Sequence, residues 1–335
     1  MNLPKALQSD FVAKLAHLLR GNSDQLARIS SLELKLHSCS QRIADLESKD
    51  RSQGEPLEPF HPWQLTKHLG NREWYRLLLE SSETPGVFGR ILPGFPREGL
   101  QKMVVGTRNQ EAITHVWGYY SLIHKTARKL GGPISPEKRL LDFGVGWGRI
   151  YRFFLKDFAP GNLVGVDIDA DFVTLCRELM PYGSFEHTPG HPPLSFASRS
   201  FDFVTAYSVF SHLSEWVARE WVDEFARVVK PSGLLFLTLL GERHLDGFLG
   251  NYHEAANEDP RLPELSKADC VRMHKDGVYL YAPSGGGGVR TKDVYGWANV
   301  EARYVELNWS RDFELVALVE DPNICRQNVL IMRRR

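Results

Sequence analysis

The stretch Leu141-Asp142-Phe143-Gly144-Val145-Gly146-Trp147-Gly148-Arg149 decides the fold of this chain of 335 residues. Residues 138–144 predict a β-strand that leads into it, and residues 149–158 predict a helix that follows it. Glycines at such a turn adopt φ angles that other residues avoid, and they let the backbone approach a ligand closely. The stretch therefore predicts a strand–turn–helix unit with a ligand site at the turn.

Strands and helices alternate along the chain after this turn. Four further strands are predicted at 163–167, near Phe185, at 201–209 and at 234–240. This alternation implies parallel strands joined by right-handed crossovers. Two last strands, at 313–319 and 328–332, are close enough in sequence to pair as an antiparallel hairpin. The predicted fold class is therefore α/β, with a doubly wound sheet of seven strands.

The chain divides into three predicted parts. Residues 1–58 form an N-terminal helical extension, with apolar residues three and four apart at Ile29, Leu32, Leu36, Cys39, Ile43 and Leu46. This spacing leaves two interpretations open: a coiled coil that forms a homodimer, or a helix packed on its own core. Residues 59–134 are a helical lead-in, and residues 135–335 form the main domain. Within that domain, residues 243–310 break the alternation and are predicted to be an insertion beside the ligand site.

The residues around the glycine turn indicate the kind of ligand. A pyrophosphate-binding turn needs a third glycine where this chain has Arg149. Asp142 precedes the turn, and a carboxylate there repels a pyrophosphate and attracts a cation. Asp167 lies 23 residues after Gly144, at the predicted tip of the second strand, where a carboxylate can accept hydrogen bonds from ribose hydroxyls. We therefore expect a nucleoside ligand that carries positive charge.

These motifs resemble those of the class I S-adenosylmethionine-dependent methyltransferases, and within them the bacterial small-molecule and sugar methyltransferases. The resemblance covers 138–242 closely and the remainder to 335 more loosely. Residues 141–149 are similar to the first motif of the family, and Val166-Asp167 is similar to its ribose-binding acid. Residues 200–204 and 225–233 resemble its later motifs. The resemblance implies a Rossmann-like sheet whose last two strands form the reversed hairpin of this family.

The resemblance also implies S-adenosylmethionine as the cofactor. The residues that it places around this cofactor are Asp142, Gly144, Gly146, Gly148, Arg149, Asp167, His191, Tyr207 and Ser208. Arg149 has two open roles, since it can reach the cofactor carboxylate or cap the strand edge. His191 stands in the loop expected beside adenine, where many relatives carry an acid or an amide.

Methyl transfer requires an aligned acceptor in a dry pocket, and a hydroxyl acceptor must also lose its proton. His212, just after the fourth strand, is the candidate general base, and a structural hydrogen bond is its alternative role. We expect a methyltransferase that acts on an oxygen or nitrogen of a small polar acceptor such as a sugar. The rival hypotheses are an NAD(P)-dependent oxidoreductase, disfavoured by Arg149, and a non-catalytic scaffold with the same fold.

The composition of the chain limits the classes of binding partner that we expect. Lys plus Arg and Asp plus Glu number 41 each, so we expect neither nucleic acid nor an anionic membrane as a partner. The sequence contains no run long enough to span a membrane and no signal peptide. The four cysteines have no paired spacing, so we expect no metal site, no disulfide framework and a cytoplasmic location.

Overall fold

The computed structural model of the chain describes residues 61–83 and 92–335. The predicted N-terminal helix with its coiled-coil spacing, residues 1–58, lies outside the described residues. Within the described ranges, every helix is too short or too polar to cross a membrane.

Seven strands form one sheet in the spatial order β3-β2-β1-β4-β5-β9-β8. Strands β1 to β5 are parallel, and β9 runs antiparallel to both of its neighbours. A separate antiparallel pair, β6 with β7, lies outside this sheet. The bounds are β1 Leu140–Phe143, β2 Leu163–Asp167, β3 Ser184–His187, β4 Phe201–Ala206, β5 Val229–Leu239, β6 Leu280–Pro283, β7 Gly296–Asn299, β8 Phe313–Val319 and β9 Asn328–Arg334. The predicted fold class, including the reversed C-terminal hairpin, is confirmed.

Helices cover both faces of the sheet. In β5, Leu234 and Phe236 belong to one apolar cluster, and the alternate residues Leu235 and Leu237 belong to a second. Because neighbouring strand residues point to opposite faces, these two clusters show that both faces of the sheet are buried. Consecutive strand residues are therefore apolar. The helices in the described part are α1 Trp63–Thr66, α2 Asn71–Glu83, α3 Glu98–Val105, α4 Asn109–Lys129, α5 Tyr151–Phe154, α6 Ala170–Leu179, α7 Glu215–Val228, α8 Leu245–Glu258, α9 Lys267–Lys275 and α10 Ala302–Asn308.

The helix predicted at 149–158 is shorter than expected. Only the four residues of α5 are α-helical, and the chain continues in tight turns, with Asp157 N–H bonded to Phe154 O at 2.9 Å. The indole Nε1 of Trp74 donates to the carbonyl oxygens of Arg152 and Phe153 at 3.2 and 2.9 Å. These carbonyl oxygens therefore accept from a side chain of α2, and not from the backbone N–H groups of a further helical turn.

Residues 243–310 contain α8, α9 and the β6–β7 pair, which share a small apolar core of their own. Their final helix, α10, packs instead into the main core through Tyr304 and Val305. The part of the segment from 241 to 299 begins and ends at adjacent points, because Val300 N–H donates to Leu240 O at 2.7 Å. The segment thus stands beside the carboxyl ends of β4 and β5.

Candidate functional site

The glycine turn after β1 is shaped by its surroundings. Gly144, Gly146 and Gly148 have φ angles of 74°, 53° and 79°, in the left-handed region that favours glycine. A Cβ atom at Gly144 would lie 2.3 Å from Cγ2 of Val209, and one at Gly148 would lie 2.2 Å from Cε of Met180. The turn therefore packs against Val209 and Met180 at Gly144 and Gly148, and it is open at Gly146, where no described atom lies within 4 Å of an added Cβ atom. It lies beside the β1–β4 boundary, where the strand order reverses and α/β sheets bind ligands.

Asp167, the predicted ribose acid, ends β2 and is 6% exposed. Its Oδ2 accepts a hydrogen bond from Gly146 N–H at 2.8 Å, and its Oδ1 accepts one from Asp169 N–H at 2.9 Å. Each carboxylate oxygen has a second lone pair, which leaves capacity for ribose hydroxyls. Asp167 therefore has a role that the sequence did not reveal, since it also fixes the glycine turn.

Asp142 lies under this turn in β1 and is 1% exposed. Its Oδ1 accepts a hydrogen bond from Thr205 Oγ1 at 3.0 Å, while its Oδ2 has no hydrogen-bond partner among the described residues. Burial raises the pKa of this carboxyl to about 7, and the charge of Asp167 acts in the same direction. The Thr205 hydroxyl, the backbone N–H of Tyr151 and the charge of Arg149 lower this pKa by smaller amounts. A buried carboxylate oxygen without a partner fits a cationic group of a ligand, as the sequence predicted.

Arg149 follows the turn and is half-buried. Its guanidinium lies over the ring of Tyr207, with Cζ 5.0 Å from the ring centroid. Burial lowers the pKa of this guanidinium. Tyr207 also lies within reach of Cys325, whose Sγ is 3.8 Å from the phenol oxygen. Arg149 therefore extends from the glycine turn toward β4 and the loop between β8 and β9.

A polar network connects the ends of β4, β5 and β9. Ser208 has a φ of 59°, and its N–H donates to Thr238 Oγ1 at 2.7 Å. The hydroxyl of Thr238 donates to Gln327 Oε1. Gln327 Nε2 in turn donates to the hydroxyls of Ser208 and Ser211, at 3.1 and 3.3 Å. Strained backbone held by such a network is typical of functional sites.

Sequence reasoning placed Ser208 here but missed Thr238, Ser211 and Gln327. One signal was available, because Thr238 is the one polar residue in the apolar run 234–240. Gln327 carried no comparable signal, since it is 119 residues from Ser208 and the predicted hairpin did not reveal which strand it meets.

His212 is held on several sides. Its Nδ1–H donates to Gly296 O at 2.9 Å, because a carbonyl oxygen can only accept. Its ring stacks on Tyr295 at 4.9 Å and meets the edge of Trp297 at the same distance. Burial lowers the pKa of the imidazole. The hydrogen bond at Nδ1 leaves the lone pair on Nε2, so the ring combines a structural role with the protonation state of a base.

His191 lies at the surface, in the loop that is expected to lie beside adenine. Its Nδ1 is 3.0 Å from Glu220 Oε2, and its ring stacks on Trp216 at 5.1 Å. Thr188, in the same loop, is a residue that sequence reasoning missed. It is 4% exposed and its buried hydroxyl has no hydrogen-bond partner in the described part of the chain. Its N–H donates to Asp167 O at 2.9 Å, which places it directly beside the ribose acid.

A loop from the insertion reaches this side of the site. Gly285, Gly287 and Gly288 have φ angles of 72°, 77° and 57°, so the four-glycine run turns tightly. Arg290, which follows it, pairs with Asp169 at 2.9 Å. Trp216 Nε1 donates to Asp293 O at 3.3 Å. The loop 284–295 thus spans from the ribose acid side to His212, which Tyr295 contacts.

Comparisons with known proteins identify the kind of domain that contains the glycine turn. Residues 140–233 match the family model described as a methyltransferase domain. A curated relative, the fatty-acid O-methyltransferase of Mycolicibacterium smegmatis, is 29% identical over 118 residues, which are 35% of this chain and 41% of the relative. The chain therefore matches less than half the length of this relative.

Two solved structures resemble the chain at low identity. A protein from Pyrococcus horikoshii is 18% identical with a TM-score of 0.45, covering 68% of this chain and 92% of that one. A S-adenosylmethionine-dependent methyltransferase from Methanosarcina mazei is also 18% identical, with a TM-score of 0.40 and coverages of 60% and 93%.

Proposed function

We propose that this chain, whose residues 140–233 belong to the class I S-adenosylmethionine-dependent methyltransferase family, methylates an oxygen or nitrogen of a small polar acceptor such as a sugar. One observation carries the proposal. Oδ2 of Asp142 is buried without a hydrogen-bond partner in the described residues, directly under the glycine turn. This pairing suits a cationic nucleoside donor and opposes a pyrophosphate.

The residues around the turn fit this cofactor. Asp142 would accept from its ammonium group, the turn from Gly144 to Gly148 would leave room for its methionine part, and Asp167 would accept from its ribose hydroxyls. When bound, S-adenosylmethionine supplies a methyl group activated by a sulfonium charge, and the electron pair of the broken carbon–sulfur bond stays on sulfur. Thr188 and His191 line the side of Asp167 on which the adenine would lie.

His212 is the residue that we propose as general base. The hydrogen bond to Gly296 fixes the tautomer in which Nε2 carries the lone pair. Because burial lowers the pKa of the imidazole, the ring is neutral near pH 7 and can accept the acceptor's hydroxyl proton. Tyr295 and Trp297 hold the plane of the ring, so its orientation does not have to be established during the reaction.

The polar network at the ends of β4, β5 and β9 supports a polar acceptor. Ser208 and Ser211 precede His212 by four residues and by one residue, and their hydroxyls bond to the amide of Gln327. Such hydroxyl and amide groups suit an acceptor that has hydroxyls of its own. The curated relative is a fatty-acid O-methyltransferase, which favours oxygen as the acceptor atom. The loop 284–295 would exclude water from the pocket.

Two rivals stay testable. An NAD(P)-dependent oxidoreductase is disfavoured by the buried acid Asp142 and by Arg149 at the third-glycine position. A non-catalytic scaffold is disfavoured by the orientation of His212, which a scaffold would not need.

Two measurements distinguish the methyltransferase from the oxidoreductase and from the scaffold. Calorimetric titration with S-adenosylhomocysteine and with NADH identifies the ligand, and a panel of sugars, phenols and amines with S-adenosylmethionine then measures turnover. We expect binding of S-adenosylhomocysteine, no binding of NADH, and turnover that His212→Asn lowers by about 10²-fold or more without changing S-adenosylhomocysteine affinity. Binding of NADH alone would refute the methyltransferase, and cofactor binding without turnover on any acceptor would favour the scaffold.

A further inference from the structure

We propose that Arg149 is a carboxylate receptor for the acceptor, so that the substrate class is a small hydroxy or amino compound that also carries a carboxylate. The inference rests on the proposed function and specifies its acceptor. It concerns a recognition group, because the atom that receives the methyl group is the hydroxyl or amine beside His212.

The first argument is that Arg149 lacks an ion-pair partner among the described residues. A guanidinium has five N–H donors and stays protonated in proteins. Nevertheless, Arg149 makes no hydrogen bond or ion pair with any described residue. Its guanidinium lies against the face of the Tyr207 ring. Half-buried cations without an acidic partner are unfavourable, which is a reason to expect that an anion from outside the chain completes this site.

The neighbouring charges do not neutralise Arg149. The charged and titratable groups that act on it are Tyr207, Cys325, Arg326 and Asp142. Asp142 is the one carboxylate among these groups, and it stabilises the charge of Arg149 from a distance without forming an ion pair with it. Arg326 lies 2.6 Å from His115 Nε2, and both share the exposed Glu111, at 3.8 and 3.5 Å. Burial and the charges of Arg326 and Arg149 lower the pKa of His115, so this imidazole accepts from Arg326 in its neutral form. Glu111 is thus already engaged with other partners.

The second argument is the direction of the side chain. Along the sheet edge, the ribose acid Asp167 lies on β2 and the glycine turn lies on β1, while Tyr207 follows β4. Arg149 leans away from β2, onto Tyr207 and toward Cys325, which precedes β9. It therefore points to the same edge as the network of Ser208 and Gln327. A planar guanidinium there binds a carboxylate through two parallel hydrogen bonds.

Two ligands can supply a carboxylate to Arg149: the acceptor and the methionine end of the cofactor. The side-chain direction favours the acceptor. The test therefore measures both ligands on the same variants. Arg149→Met removes the charge and keeps much of the apolar stem, whereas Arg149→Lys keeps the charge and loses the planar fork. Arg261→Met removes an arginine that is 89% exposed and distant in sequence, as a control.

The probes are three carboxylates of increasing size, acetate, benzoate and laurate, each matched with its neutral amide. They are titrated by calorimetry into protein saturated with S-adenosylhomocysteine, after the Kd of S-adenosylhomocysteine itself has been measured. We expect at least one carboxylate to bind about tenfold or more tightly than its amide. Arg149→Met should abolish this preference, Arg149→Lys should retain part of it, and Arg261→Met should leave it unchanged. Thermal unfolding checks that every variant is folded.

Three outcomes would overturn the inference: no carboxylate binds, the preference survives in Arg149→Met, or Arg149→Met weakens S-adenosylhomocysteine by about tenfold or more. The last outcome would assign Arg149 to the cofactor carboxylate. These failures differ from a failure of the proposed function, which would be seen first as absent binding of S-adenosylhomocysteine to the wild-type protein.

Discussion

Asp167 at the end of β2 accepts a hydrogen bond of 2.8 Å from the backbone N–H of Gly146 in the turn after β1. One carboxylate therefore joins the two neighbouring strands that carry the predicted cofactor contacts. Its other oxygen accepts from Asp169 N–H, two residues further on, and Asp169 in turn pairs with Arg290 of the insertion. Asp167 thus connects β2, the glycine turn and the insertion on the predicted cofactor side of the site.

Replacing Asp167 should weaken cofactor binding through two effects. Asp167→Ala removes the acceptor for ribose and releases Gly146, and we expect S-adenosylhomocysteine to lose roughly 1.5–3 kcal/mol of binding free energy. Asp167→Asn is the matched control, because its single carbonyl oxygen can keep one of the two backbone bonds and should lose less. Calorimetry measures both. Unchanged affinity in Asp167→Ala would contradict the placement of the ribose.

Asp142→Asn should stabilise the protein without ligand and weaken cofactor binding. The folded-state pKa of Asp142, about 7, is above the ordinary value of 3.8, so the folded protein holds this proton more tightly than the unfolded chain. The penalty for ionising it grows between pH 3.8 and 7 and is complete above 7. Removing the charge should therefore raise the free energy of unfolding by roughly 1–3 kcal/mol at pH 8, and by little near pH 4.

Chemical denaturation of wild type and Asp142→Asn at both pH values provides the measurement. Thr205→Val is the control, since it removes the hydrogen bond that stabilises the ionised form and should have the opposite effect at pH 8. An equal change in stability at the two pH values would argue against an ionised, partnerless Asp142.

His212→Asn should lower turnover by about 10²- to 10⁴-fold, as expected when a general base is lost. The pH profile of the wild-type enzyme gives an independent readout. Because burial lowers the pKa of His212, the acid limb of kcat/KM should lie below pH 6.5. Steady-state kinetics with a reactive acceptor measures both quantities. A variant that keeps full turnover, or a profile centred above pH 6.5, would leave His212 with only its structural role.

Gly118→Ala should destabilise the protein although alanine favours helices. Gly118 lies within α4, and an added Cβ atom would be 2.0 Å from the carbonyl oxygen of Ile324, in the loop before β9. Displacing this backbone should cost roughly 1–3 kcal/mol of unfolding free energy, more than the gain in helix propensity. The shift should also reach Gln327 and lower turnover.

Gly247→Ala is the matched control for this prediction. Gly247 lies in α8 with nothing within 4 Å of an added Cβ atom, so this change should stabilise by about 0.5–1 kcal/mol. Urea unfolding compares the two variants. Equal stabilisation by both would mean that the loop before β9 does not press on α4.

The succession of strands and helices along the chain was predictable because it follows from local patterns. Apolar strands alternate with amphipathic helices, and the glycine turn marks the first crossover. The length of α5 was not predictable, since it depends on Trp74, which is 79 residues away from Phe153. The same limit applies to the site: spacing identified Asp167 as an acid at a strand tip, but the bond to Gly146 depends on side-chain direction. Gln327 reaches Ser208 only because β9 lies beside β5.

The part of the insertion from 241 to 299 begins and ends at neighbouring points, because Val300 N–H donates to Leu240 O. A piece of chain with adjacent ends can be exchanged or resized during evolution without altering the sheet that it leaves. Here that piece carries Gly296, the partner of His212, and Tyr295, while Asp142, Asp167 and the glycine turn lie on the sheet and on the turn after its first strand. Evolution can therefore change the acceptor of such an enzyme by replacing this one segment. The residues proposed to bind the cofactor, which lie on the sheet, can stay the same.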